Sequence, residues 1–260
     1  AKLTVQSDTP DVDFATLGAT LGTVIGASVD ISVKDTHAVL SVPSKQLAAV
    51  REELSEKYPT IRIMSRGECL EIYKEVGLPK DVAARFELSA MTGSHGIGHT
   101  RMATESAVTT MGAHPFNTGL DQCLVHNGSL SNHNSLRWKL RREGIHIETE
   151  NDTEVGAAYL TWRMQQGATL GEALQSSLDD LDGFFTFVVG TKDGFGVVRD
   201  PIACKPAVMA ETENYVAFGS EYRALVNLPR IETARVWEPE PANVYFWSHN
   251  SAPTSIEKAA

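Results

Sequence analysis

Cysteine is scarce. Only Cys69, Cys123 and Cys204 occur in 260 residues; three thiols cannot form a disulfide framework, and an odd count fits a reducing compartment. No run of about 18 apolar residues exists, which excludes a membrane-spanning helix. Positive charge is also short, 23 Lys+Arg against 33 Asp+Glu, giving a net −10. That balance argues against a nucleic-acid backbone and against an anionic membrane surface as partners. The opening AKLTVQSDTPD lacks the basic-then-apolar layout of a secretory leader, so a cytoplasmic location is expected. Ala1 is neither an initiator Met nor a nucleophile, and the sequence as written is expected to be processed or truncated. With 42% hydrophobic residues, 20 Gly and 11 Pro, the composition is globular. A chain this long buries roughly three quarters of its unfolded surface and needs no disulfide or metal to hold it. No repeat or long linker interrupts it, and one domain over 1–260 is expected.

The pattern along the chain is mixed. Residues 31–33 and 38–42 read as two strands about a turn. Ser44 is expected to cap a helix running to about Tyr58, followed by a short strand from Thr60 to Met64. Two helical pieces are expected near Glu68–Val76 and Pro79–Leu88, the second opening on proline. The Gly- and His-rich stretch 93–100 reads as extended. Gln122–His126 reads as a short strand ending in a turn at Asn127-Gly128. A basic helix over 132–143 closes at Gly144, and two more helices begin at the Asn151–Glu154 run and at Leu170. Residues 184–219 hold four further strands. Strands, a central helical pair and more strands predict a layered α+β domain.

Six of eight histidines fall between His95 and His146. His95 and His99 have metal-ligand spacing only on a helix, and Gly93, Gly96 and Gly98 oppose a helix there, so no metal is expected. Cys123 and His126, three apart on a strand, face opposite sides and cannot form a dyad; Cys123 reads as core. The third possibility is an amino-acid pocket. Arg101 offers a fork for a carboxylate, Asn127-Gly128 two donors for an oxyanion, and Asp152 a carboxylate for an ammonium. Each also has a plain structural reading: a surface ion pair, a hairpin turn and a helix cap.

Three ordered segments, Gly98-His-Thr-Arg-Met-Ala-Thr104, His126-Asn-Gly128 and Asn151-Asp-Thr-Glu154, resemble the class II glutamine amidotransferases, of the N-terminal-nucleophile hydrolase superfamily. So do Arg199-Asp-Pro201 with Lys205-Pro206, and Phe218-Gly-Ser-Glu221. The resemblance covers about residues 93–225. It implies an αββα four-layer sandwich of two antiparallel sheets between helical layers, and glutamine hydrolysis through a γ-glutamyl thioester. It assigns Arg101 and Thr104 to the glutamine α-carboxylate, Asn127 and Gly128 to the oxyanion hole, and Asp152 to the ammonium. Met102 replaces the usual aromatic, and Glu105 stands where a second carboxylate-binding residue often lies. The family's first strand and its N-terminal Cys nucleophile are absent from this sequence, and no internal cysteine can replace it, because the mechanism uses a free α-amino group. The chain most resembles single-domain amidotransferase subunits related to glutamate synthase, such as that of methylamine–glutamate N-methyltransferase (N-methylglutamate synthase). That likeness implies glutamine or glutamate as ligand and hetero-oligomeric synthase partners. Ammonia would pass to or from them, with FMN and an iron–sulfur cluster on the partners and no cofactor on this chain. The alternative is a catalytically silent regulatory or scaffolding subunit that keeps the amino-acid pocket.

Overall fold

The computed structural model describes residues 1–9, 12–101, 108–248 and 257–258. The chain opens with strand β1 (Lys2–Ser7), helix α1 (Phe14–Ile25), strands β2 (Asp30–Lys34) and β3 (His37–Ser41), helix α2 (Leu47–Lys57) and strand β4 (Ile61–Gly67). Asp13 caps α1 by accepting from Thr16 N–H at 3.0 Å, and Gly26 ends the helix in the left-handed region at φ 65°. The strands pair antiparallel in the order β2-β3-β1-β4, a split β-α-β arrangement. Leu3, Val5 and Leu40 meet Leu17, Leu21, Val50 and Leu54 in a core of their own.

The other face of this sheet is polar, with Thr4, His37 and Ser65 buried on it. Residues 68–76 cross that face without forming the expected helix. Thr4 Oγ1 accepts from Ile72 N–H and His37 Nε2 from Lys74 N–H, both at 3.4 Å. Those bonds hold the chain extended, and cross-sheet acceptors outcompete a helix that buries less. The piece after it, α3 (Pro79–Arg85), does form, with proline in its first turn.

The rest builds around strand β5 (Gln122–Leu130). Helices α4 (His133–Arg142), α5 (Asp152–Gln165) and α6 (Leu170–Asp180) follow, then strands β6 (Gly183–Thr191), β7 (Gly194–Arg199), β8 (Val208–Glu211), β9 (Val216–Gly219), β10 (Arg235–Trp237), β11 (Val244–Ser248) and β12 (Glu257–Lys258). A five-stranded sheet runs β12-β11-β7-β6-β5 and a three-stranded sheet β10-β8-β9, every pairing antiparallel. One face of the larger sheet buries Leu124, Phe187 and Val198 against Val155, Tyr159 and Leu174 of the helices. The other buries Val125, Val188, Val197 and Trp247 against Met209 and Phe218 of the smaller sheet.

Helix on sheet on sheet is therefore present. The outer face of the smaller sheet is packed by Leu225, Leu228 and Ile231 from loops and short 3-10 turns among the described residues, where a second helical layer was expected. Among the described residues the four-stranded amino-terminal sheet stands in addition to the two sheets of this core. Among the described residues no helix is long and apolar enough to cross a membrane.

One carboxylate joins the four-stranded sheet to this core. Asp121 is 6% exposed and accepts from the N–H groups of Glu68, Cys69 and Leu70 at 2.7–3.0 Å, while its own N–H donates to Arg66 O at 2.9 Å. Burial pushes its pKa up, but the backbone donors outweigh that and hold the carboxyl below its usual range. Gly67 is required beside it, since a Cβ there would collide with the carboxylate. Asp121→Asn is expected to cost about 2–3 kcal/mol, because an amide presents one acceptor to three donors. Since the folded pKa is depressed, the stability from Asp121 is present above about pH 4 and lost as pH falls through the folded value. Urea titrations should show the wild-type protein losing its advantage over the variant below that pH; an equal loss in both would remove Asp121 from the joint.

Candidate functional site

Residues of both core sheets line a cavity of about 1250 Å³. Arg101, Asn127, Gly128 and Asp152, expected from sequence to act together, all line it. Thr104 lies outside the described residues, as do Met102 and Glu105.

Asn127-Gly128 is not a turn. β5 continues through it to Leu130, pairing Asn127 with Thr186 and Gly128 with Phe185 of β6. Alternation along β5 turns Leu124 toward the helices and Val125 toward the smaller sheet. Asn127, two residues beyond Val125, therefore shares the cavity-side face. Gly128 has φ 149°, and a Cβ there would lie 2.7 Å from His126 Nε2 and 2.8 Å from Phe185 Cα. Only glycine fits that approach.

Asp152 is not the helix cap. Asn151 caps α5, its Oδ1 accepting from Thr153 N–H at 2.8 Å, and Asp152 is the first helical residue. Its Oδ2 accepts from Leu130 N–H at 2.9 Å, and Oδ1 stands 3.9 Å from His126 Nδ1. The positive end of α5 favours a carboxylate here. His126 does not neutralise it. Burial drives His126 down to about 4 against the opposing pull of Asp152. Its Nδ1 instead shares Thr153 Oγ1 (3.1 Å) with His114 Nε2 (3.0 Å). His114, pushed well down by burial, has its ring centre 4.2 Å from that of the half-buried His99, the two rings tilted at 43°. His114 and His126 are thus linked through Thr153, and His114 Nδ1 also accepts from the His126 N–H at 3.5 Å. Among the described residues no group of three or more His, Cys, Asp or Glu side chains could hold a metal ion.

Arg101 sits at the end of the extended 93–101 segment and is exposed. Its Nη1 donates to Gly112 O at 3.3 Å, the same carbonyl that Asn151 Nδ2 reaches at 3.3 Å. That shared acceptor sets the guanidinium beside the start of α5. On the far side, the buried Arg199 donates to the carbonyls of Ala203, Lys205 and Pro239 at 2.7–2.9 Å. Asp200 accepts from the N–H groups of Phe185, Ile202 and Ala203 at 2.8–3.2 Å. These two motif residues are structural: they fix the loop that brings Lys205 to the cavity. Phe195, Tyr215 and Trp247 also line it and carried no signal in the sequence beyond an apolar strand pattern.

No cysteine lines the cavity among the described residues. Cys123 is buried against Met64 and Ile72, as expected of a core thiol, and burial pushes it up to about 11. Cys69 and Cys204 are exposed; the Cys69 thiol donates to Asp121 at 3.4 Å and is raised by burial and by that carboxylate. Gly128→Ala is expected to lower stability by at least about 1 kcal/mol through strain alone; an unchanged denaturation midpoint would show that β5 relaxes around a methyl group.

Residues 81–258 match the model of a glutamine amidotransferase domain. The chain is 69% identical over 252 residues to the glutamine amidotransferase-like protein GlxB of Rhizobium meliloti (strain 1021), covering 97% of this chain and 83% of that protein. It is 38% identical over 116 residues to a glutamine–fructose-6-phosphate aminotransferase (isomerizing) of Aliivibrio fischeri, covering 45% of this chain but only 19% of that enzyme. Among solved structures, glutamine phosphoribosylpyrophosphate amidotransferase from B. subtilis, complexed with ADP and GMP, superposes with a TM-score of 0.61 at 26% identity, over 75% of this chain and 42% of that one. The matched region contains β5, α5 and the whole cavity wall just described, and on that ground the chain belongs to the class II, N-terminal-nucleophile-type glutamine amidotransferases.

Proposed function

We propose that this chain is an amino-acid-binding amidotransferase subunit that holds glutamine or glutamate in the large cavity and acts with a partner protein. The observation that carries the reading is the convergence of Arg101, Asn127, Gly128 and Asp152 on one cavity. Arg101 takes the α-carboxylate in a two-bond fork and Asp152 the α-ammonium. The side-chain carbonyl then lies toward Asn127 and Gly128. An uncharged His126 leaves the Asp152 charge available for the ligand, which favours a zwitterion over a simple amide.

None of Cys69, Cys123 and Cys204 lies on the cavity wall, so none of these three thiols is placed to attack the ligand. A silent, amino-acid-sensing role within a synthase complex fits that geometry best. The second reading is a working glutaminase that feeds ammonia to a glutamate-synthase-like partner, such as that of N-methylglutamate synthase. It rests on the Asn127-Gly128 pair, which a purely sensing pocket does not need. It also requires a cysteine with a free α-amino group.

Two measurements test this. Asp152→Asn should weaken glutamine binding by about 2–5 kcal/mol in calorimetry, the usual cost of stranding one charge of a desolvated pair. Its melting temperature should hold, because Asn151 keeps the cap and an amide oxygen can still accept from Leu130 N–H. Normal binding with a collapsed melting temperature would make Asp152 purely structural. A glutamine-mimicking diazoketone amino acid at stoichiometric dose should leave Cys69, Cys123 and Cys204 unlabelled by intact-mass analysis. Glutamine-protected labelling of any of them would overturn the reading.

A further inference from the structure

A second, smaller cavity of about 60 Å³ lies at the junction of the four-stranded sheet and the amidotransferase core. Three elements bring cations to its wall: Arg51 from α2, Arg66 from β4 and Lys74 from the extended 68–76 segment. Lys74 is 5% exposed, its ammonium 4.5 Å from the centre of the Phe116 ring. Among the described residues neither a hydrogen-bond acceptor nor a carboxylate in salt-bridge range meets that ammonium. Arg66 donates to the carbonyl of Thr118 and forms no ion pair among those residues; Arg51 forms none either.

The nearby acids are already committed. Glu154 accepts from the N–H groups of Glu148 and Thr149 and from the Thr149 hydroxyl at 2.6–2.8 Å. Glu148 pairs with His146 at 3.2 Å. A buried cation without a bonded counter-charge is costly, and three around one polar space call for an anion. An oxygen-sized group needs about 10–15 Å³ of such space, so the cavity takes about four to six of them.

We propose that this cavity is a binding site for a small oxyanion, a phosphate or a carboxylate, held by Lys74, Arg66 and Arg51 across the junction of the two sheets. Phe116 and Met64 form its apolar floor. The site is independent of the glutamine reading, because none of its residues lines the larger cavity.

Proton linkage gives the site a signature. Burial pushes Lys74 down to about 8, partly opposed by Glu154 and Glu148. The other groups facing it are Arg66, lowered by burial to about 10 and so still charged, Arg51, His146 and an uncharged His37 lowered to about 4. A bound anion favours the ammonium form. Binding near pH 8 is therefore accompanied by proton uptake, and affinity falls as pH rises through that value.

The test uses the full-length protein in chloride buffer, titrated at constant ionic strength with sodium phosphate or with sodium acetate. At least one of these should raise the melting temperature saturably, and calorimetry in two buffers of different ionisation enthalpy should report proton uptake. A response to phosphate alone identifies a tetrahedral oxyanion, and a response to acetate a carboxylate. Lys74→Met keeps the apolar stem on Phe116 and should weaken binding at least about tenfold; should it fail to fold, Arg51→Gln at a partly exposed position should weaken it as well. Equal saturation curves for wild type and the folded variant, or no saturable response to either anion, would overturn the site.

Discussion

The nine consecutive pairings of β5 with β6 are the constraint on which the site rests. They carry the strand through Asn127-Gly128, so that alternate residues serve opposite layers. Leu124, His126 and Leu130 go to the helical side; Val125 and Asn127 go to the side of the smaller sheet. A one-residue slip would exchange the two sets, turning the Asn127 amide toward the helical core and Leu124 toward the smaller sheet. Gly128 pins the register locally, since no side chain fits beside Phe185.

Electrostatics then does its work through what is left uncharged. One buried and two half-buried histidines surround the start of α5, and desolvation lowers the pKa of all three. A single hydroxyl, Thr153 Oγ1, bridges two of them. Asp152 consequently faces the cavity with a backbone N–H and a helix terminus for support and with no bonded cation. A carboxylate in that setting attracts an ammonium more strongly than one shared with an imidazolium.

Much of this was legible in the sequence. Periodicity placed α4, α5, α6 and β6 to β9, because their apolar faces are regular and their ends are punctuated by Gly144 or by turn residues. The site residues were readable because they sit in short ordered segments whose chemistry is complementary. What escaped has a common cause. Residues 68–76 look helical in isolation and are held extended by Thr4, His37 and Asp121, acceptors some 35 to 70 residues away in the chain. Asn127-Gly128 looks like a hairpin turn until β6 supplies a partner on both sides of it. β1 and α1 carry weak local signals, and their stability comes from packing Leu3 and Val5 against Leu17 and Leu21. The charge trio around Lys74 joins three segments that no local window contains.

Asp121 immediately precedes β5, and this adjacency has a mechanical meaning. The turn at 68–70 hangs on its carboxylate, while Asn127 lies six residues along the same strand, roughly 20 Å away at about 3.3 Å per residue. A paired strand is stiff along its axis, so it works as a rod between the two. Any rotation of the four-stranded sheet must either break several charge-assisted bonds at one end or be delivered as a displacement at the other. The amino-terminal sheet is thus geared to the strand that carries the Asn127 amide, and a force applied at one has a short, stiff path to the other.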